Sequence, residues 1–105
     1  MVSEIVTFPA VVDITNSEAV GRTLLAAFGP DVAVVIADLS RTEFCDSTGI
    51  RCLLIASNQA ACTGSQLRVV AGDGAVRRAL YVLGADQSLA LYPDIQAALT
   101  GRQAG

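Results

Sequence analysis

The chain has 105 residues, 52% of them hydrophobic and 16% charged, with a net charge of −3; that is enough apolar material for one domain to bury a core without metal or disulfide staples. Its seven basic residues are all arginine, against ten acidic ones, so direct binding of nucleic acid is not expected. Histidine and lysine are both absent, which removes the commonest general base, the commonest metal ligand, the histidine triads and the Ser-Lys dyad.

Other enzyme classes fall with them. There is no G-x-S-x-G elbow, no G-x-x-x-x-G-K phosphate loop and no G-x-G-x-x-G turn. Cys45, Cys52 and Cys62 are odd in number and match neither a zinc ribbon nor a CxxC pair, so they read as three reduced thiols. No stretch is long and apolar enough for a membrane span, and residues 1–10 lack the basic start and apolar centre of a secretory signal. The expectation is a cytoplasmic, non-enzymatic protein with no cofactor, no metal and no membrane insertion. With no heptad or long apolar edge strand, it is expected to be a monomer.

In chain order, Ile5 to Phe8 read as a short first strand cut off by Pro9, with Val11 and Val12 continuing it after the break. Thr15 and Glu18 have the spacing of a capping box, which predicts a helix with Val20, Thr23, Leu24 and Ala27 on its buried stripe, stopped by Gly29-Pro30. Val32 to Ala37 is apolar without alternation, the pattern of a central strand covered on both faces, and Asp38 ends it. Leu39 to Cys45 form a link, with Phe44 expected to anchor it on the core. A helix opens on Ser47, with Ile50, Leu53, Leu54, Ser57 and Ala61 as its stripe and Arg51, Ile55, Asn58 and Cys62 off it. Gly64 caps that helix.

Gln66 to Ala71 form another strand, and Gly72-Asp73-Gly74 turns into a helix striped by Val76, Ala79, Leu80 and Leu83, ending at Gly84. Leu89 to Tyr92 are a last strand; Pro93 and Asp94 start a final helix to about Thr100, followed by a flexible tail over 101–105. Strands alternating with helices predict a single α/β domain over 1–105, its ordered core at about 4–100, with a small mostly parallel mixed sheet of four to five strands. Asp13, Asp38 and Asp46-Ser47 would then gather at the carboxyl edge of the sheet.

Asp46-Ser47-Thr48-Gly49 is the stretch of greatest interest. Small polar side chains at the start of a helix are ordinary caps, and simple capping accounts for Ser47. The same place also suits a phosphate group, favoured by free amides and the helix dipole.

Asp38-Leu39-Ser40, Phe44, Asp46-Ser47-Thr48-Gly49 and Leu53-Leu54 together resemble the D-L-S-x-x-x-F-x-D-S-x-G-x-x-x-L-L signature of the STAS domain. Asp73 to Gly84 resemble the family's S-x-x-V-R-R-x-L-x-x-x-G helix, and Pro9 to Ile14 its segment ending in an aspartate. The form most similar is the stand-alone anti-anti-sigma factor, or anti-sigma factor antagonist, of the SpoIIAA and RsbV type. That resemblance implies bacterial partner switching in transcription regulation. The unphosphorylated protein would bind an anti-sigma factor with serine kinase activity and free a sigma factor. Phosphorylation at Ser47 would end binding, and a serine phosphatase would restore it. Partner contacts are expected from Asp13, Asp38, Asp46, Thr48, Gly49, Arg51 and Ile55. Two other readings remain: a non-catalytic STAS adaptor or scaffold subunit of a signalling or lipid-transport complex, and a nucleotide-sensing STAS module.

Overall fold

The structure, a computed structural model, describes residues 2–101. Strands β1 (Val2–Thr7), β3 (Val32–Asp38), β5 (Gln66–Val70) and β6 (Ala90–Tyr92) form one sheet in the order β1-β3-β5-β6. Every pairing in it is parallel. Two further strands, β2 (Val11–Val12) and β4 (Phe44–Cys45), pair with each other in parallel beyond the main sheet. The helices are α1 (Ser17–Ala26), α2 (Ser47–Thr63), α3 (Ala75–Val82) and α4 (Ile95–Thr100), with one 3₁₀ turn at Ala85–Gln87.

The unalternating run over β3 is explained by its place. With β1 on one side, β5 on the other and helices above and below, Val35, Ile36 and Ala37 are wholly buried. One face carries the larger core, where Leu24 of α1, Ile50, Leu53 and Ala56 of α2, and Val76 and Leu80 of α3 meet Val35, Ala37, Leu67 and Val69. On the other face, Ile36, Val70 and Tyr92 lie under Ala98 of α4. Arg68 holds α4 there, its Nη1 donating to the Ala98 carbonyl at 2.7 Å and its guanidinium lying over the Tyr92 ring.

The second, smaller ladder places the site. The chain leaves β1 through Phe8, whose amide donates to the Asp38 carbonyl at 2.9 Å, and leaves β3 through Leu39, whose amide donates to Val70. Thr42, buried, ties the two exits together by donating its hydroxyl to the Pro9 carbonyl at 2.9 Å. The Glu43 amide then donates to Ala10 and the Asp46 amide to Val12. β2 and β4 therefore run side by side at the carboxyl end of the sheet, each delivering a polar turn and a helix.

Several expectations are corrected. Phe44 does not anchor the link: it is 53% exposed, and Cys45 is the buried residue. The last residues of that link form a strand, and side chains in a strand alternate. The α2 face is also rotated. Gly49, Ile50, Leu53, Ala56 and Ala60 are buried, Leu54 and Ser57 half-buried, and Ala61 exposed, because the small residues let the helix approach the sheet closely. In α3, Leu83 points out while Ala85 beyond it is buried, since the helix ends at Val82 and the chain turns.

The capping box at α1 does not form. Asn16 is the N-cap without a side-chain bond to the helix, Thr15 turns back to Asp13, and Glu18 pairs with Arg22 at 2.9 Å. Thr23 is exposed. The helix stops one turn before Gly29, on Ala27 in a right-handed conformation. Gly64 and Gly84, by contrast, adopt φ of 77° and 74°, the left-handed geometry expected of them. Of the expected tail only Gly101 is described, as the left-handed cap of α4; the rest lies outside the described residues. Among the described residues no helix is long and apolar enough to cross a membrane.

Candidate functional site

The turn after β4 is built by one carboxylate. Asp46 is the N-cap of α2, in extended conformation, and its Oδ1 accepts from the amides of Thr48 at 2.9 Å and Gly49 at 3.3 Å. It also accepts from the Thr48 hydroxyl. The Thr48 hydroxyl, with the Gly49, Thr48 and Ile14 amides adding to it against some desolvation, holds the Asp46 carboxyl below the usual carboxylate range. The carboxylate is thus charged at neutral pH, with its Oδ1 taken up by the turn.

Ser47 is not the cap. It is the first residue of α2, exposed, and among the described residues its hydroxyl makes no hydrogen bond. Capping, the plainest explanation of a serine here, is carried by Asp46 instead, with the Thr48 hydroxyl donating to it. The Ser47 side chain is exposed at the positive end of the helix, whose Thr48 and Gly49 amides are already taken by Asp46.

Behind the turn the packing is tight. A Cβ on Gly49 would lie 2.5 Å from Cys45 Sγ and 2.7 Å from a Val12 methyl, so glycine lets α2 press against the β2–β4 pair. Burial, with Asp46 nearby, pushes the Cys45 thiol up to about 11, and burial also raises Cys52, whose Sγ lies 3.2 Å from the Ser17 carbonyl. Among the described residues all three cysteines are free.

Asp13 sits beside Asp46, one residue past the Val12↔Cys45 pairing. Its Oδ1 accepts from the Thr15 amide at 2.9 Å and from the Thr15 hydroxyl. Asp38 is at the end of β3 and accepts from the Ser40 amide at 2.9 Å, closing its own turn; among the described residues no hydrogen bond joins it to the Asp46 turn. Arg51 and Ile55 continue the exposed face of α2 from Ser47, Ile55 being 47% exposed. Thr48 is half-buried and Gly49 buried.

Sequence reasoning did not place three residues on this surface, one of which, Phe44, it assigned to the core. Val11, Ile14 and Phe44 are 44%, 77% and 53% exposed. Val11 and Phe44 are direct neighbours across the ladder, and Ile14 follows Asp13. The surface is therefore apolar as well as acidic, with Glu43 exposed beside Phe44. One signal was available: Asp13-Ile14-Thr15 repeats the D-x-T of Asp46-Ser47-Thr48.

The model of the family described as "STAS domain" matches residues 4–98. The chain belongs to the STAS domain family. This STAS domain is 26% identical over 94 residues to the anti-sigma-F factor antagonist RsfB of Mycobacterium tuberculosis, a match covering 90% of this chain and 76% of that protein. It superposes on the crystal structure of an anti-sigma factor antagonist from Mycobacterium paratuberculosis with a TM-score of 0.86 at 26% identity, covering 94% of this chain and 84% of that one. The anti-sigma factor antagonist SpoIIAA in its unphosphorylated form shares the fold, with a TM-score of 0.76 at 17% identity over 95% of this chain and 88% of that one.

Proposed function

We propose that this STAS domain is an anti-sigma factor antagonist controlled by phosphorylation of Ser47. In the unphosphorylated state it binds an anti-sigma factor that is also a serine kinase, and so releases a sigma factor. That kinase transfers the γ-phosphoryl of ATP to Ser47 Oγ, giving ADP and a proton, and binding ends. A phosphatase adds water, releases inorganic phosphate and restores the hydroxyl.

The observation that carries this reading is that the Ser47 hydroxyl makes no hydrogen bond among the described residues, although it stands exposed at the start of a helix. Its neighbour Thr48 is a poorer acceptor, because its hydroxyl is bonded to Asp46. Similarity to RsfB supports the role. The physics of the switch is local. A phosphoryl group brings roughly −1.5 to −2 charges to a surface already carrying Asp13, Glu43 and Asp46. Beside the apolar Val11, Ile14 and Phe44, that charge must be stripped of water before any partner can dock. The helix dipole makes the phosphate tolerable to the fold, so the interface changes while the domain stays folded. In this reading Arg51 and Ile55 touch the partner, whereas Asp13, Asp46, Thr48 and Gly49 hold the turns in shape, and Asp38 lies at the rim.

Ser47→Ala and Ser47→Asp baits in native-cell extract test it. A kinase-like anti-sigma factor retained by the alanine form alone is the expected result. The same proteins retained equally by both forms would make Ser47 irrelevant to binding and the reading wrong.

A further inference from the structure

We propose that phosphorylated Ser47 captures Arg51, one turn further along α2, so that phosphorylation adds negative charge to the partner-binding surface and withdraws a guanidinium from it in one step. This rests on Ser47 being the phosphorylated residue.

The two side chains are spaced i,i+4 on a helix that runs unbroken over Ser47–Thr63, which places them on one face with Cβ atoms about 5–6 Å apart. Both are exposed. Among the described residues the ion pairs are Glu18–Arg22 and Asp73–Arg77, and Arg68 is tied to the Ala98 carbonyl on the opposite face of the sheet. Arg51 has no such tie among the described residues. Nor does the first turn of α2 contain an acidic side chain to attract it. An arginine this near a helix N-terminus is on the unfavourable side of the dipole, so in the unphosphorylated protein its exposed charge is available to a partner.

Phosphorylation reverses that. A phosphoserine offers three acceptor oxygens that match the guanidinium fork, and the pair forms charge-assisted, bidentate hydrogen bonds. The other charges around the phosphate strengthen the case. Asp46 is adjacent in sequence, Asp13 stands on the neighbouring turn, and Glu43 is exposed just before β4. From α1, Glu18 is already neutralised by Arg22. The carboxylates repel the phosphate, leaving Arg51 as the cation at the right spacing on the same helix. Arg51 therefore has two states, solvated when Ser47 is free and engaged when it is phosphorylated.

Phosphoserine encoded at position 47 of the full chain, in wild type, Arg51→Ala and Arg51→Lys, tests this by ³¹P NMR titration of the phosphate at low salt. A nearby cation favours the dianion. The second phosphate pKa should therefore be lower in wild type than in Arg51→Ala by about 0.2 to 0.4, the size expected of an exposed i,i+4 pair. Arg51→Lys should restore most of the difference, and about 1 M salt should erase it. Coincident titrations of wild type and Arg51→Ala would overturn the proposal. Because the phosphate is built in, no kinase enters the result; a wrong assignment of Ser47 itself would appear separately, as cell-derived protein bearing no phosphate at that residue.

Discussion

Asp13-Ile14-Thr15 follows β2 and Asp46-Ser47-Thr48 follows β4, and the two turns close alike. In each, the aspartate carboxylate accepts from the threonine amide at 2.9 Å and from the threonine hydroxyl. They differ in what comes next. After Thr15, Asn16 reaches back, its Oδ1 accepting from the Asp13 amide and its Nδ2 donating to the Val11 carbonyl, and α1 starts without a side-chain cap. After Thr48 the chain is already helical, and the Gly49 amide joins the same carboxylate. One motif is only a turn; the other is a turn and a helix cap. In both, the side chain of the middle residue is exposed and takes no part in closing its turn. The fold places no demand on the chemistry of that residue, so Ile14 and Ser47 are free to serve the surface.

Substitutions that separate the two turns should rank in a definite order. Gly49→Ala should do most damage, costing about 1–3 kcal/mol by overpacking, because its new methyl meets Cys45 and the wholly buried Val12; urea denaturation measures it. Asp46→Ala comes next, lowering Tm by roughly 4–8 °C as the cap is lost. Since the folded Asp46 carboxyl titrates below its ordinary 3.8, its contribution is present above that pH and lost as pH falls through the folded value. The wild-type advantage over Asp46→Ala should accordingly shrink on acidification below about pH 4. Asp13→Ala should lower Tm less than Asp46→Ala, because no helix amide loses its acceptor.

Ser47→Ala should be smallest, within about 0.5 kcal/mol of wild type by the same urea assay. Ser47→Asp should be at least as stable, an acidic side chain being favoured at a helix N-terminus. A large loss of stability in Ser47→Ala would erase the contrast between the turns.

The order of the main strands and helices was legible because it rests on strong local signals. The buried run at Val32 to Ala37, the helix opening at Asp46-Ser47 and the left-handed glycines at 64 and 84 each declare themselves within a few residues. What was not legible depended on partners distant in sequence. Phe44 looked like an anchor because nothing nearby reveals that it pairs with Val11 across more than thirty residues and so faces out. Thr15 had the spacing of a cap, but Asp13, two residues earlier, took its hydroxyl. The α2 stripe was right at Ile50 and Leu53 but continued through Leu54, Ser57 and Ala61, whereas close approach to the sheet favoured Gly49, Ala56 and Ala60. At the site, the motif pointed to Ser47, and only the three-dimensional hydrogen bonding separated it from its capping neighbours.

The most direct measurement of the central claim is to incubate the protein with ATP and the kinase-like anti-sigma factor that the proposal expects the Ser47→Ala bait to retain, then map the phosphate by fragmentation mass spectrometry. Phosphate on Ser47 with Thr48 unmodified, and loss of the complex as it accumulates, is the predicted result. Phosphate on Thr48, or a complex that persists with Ser47 fully phosphorylated, would contradict it.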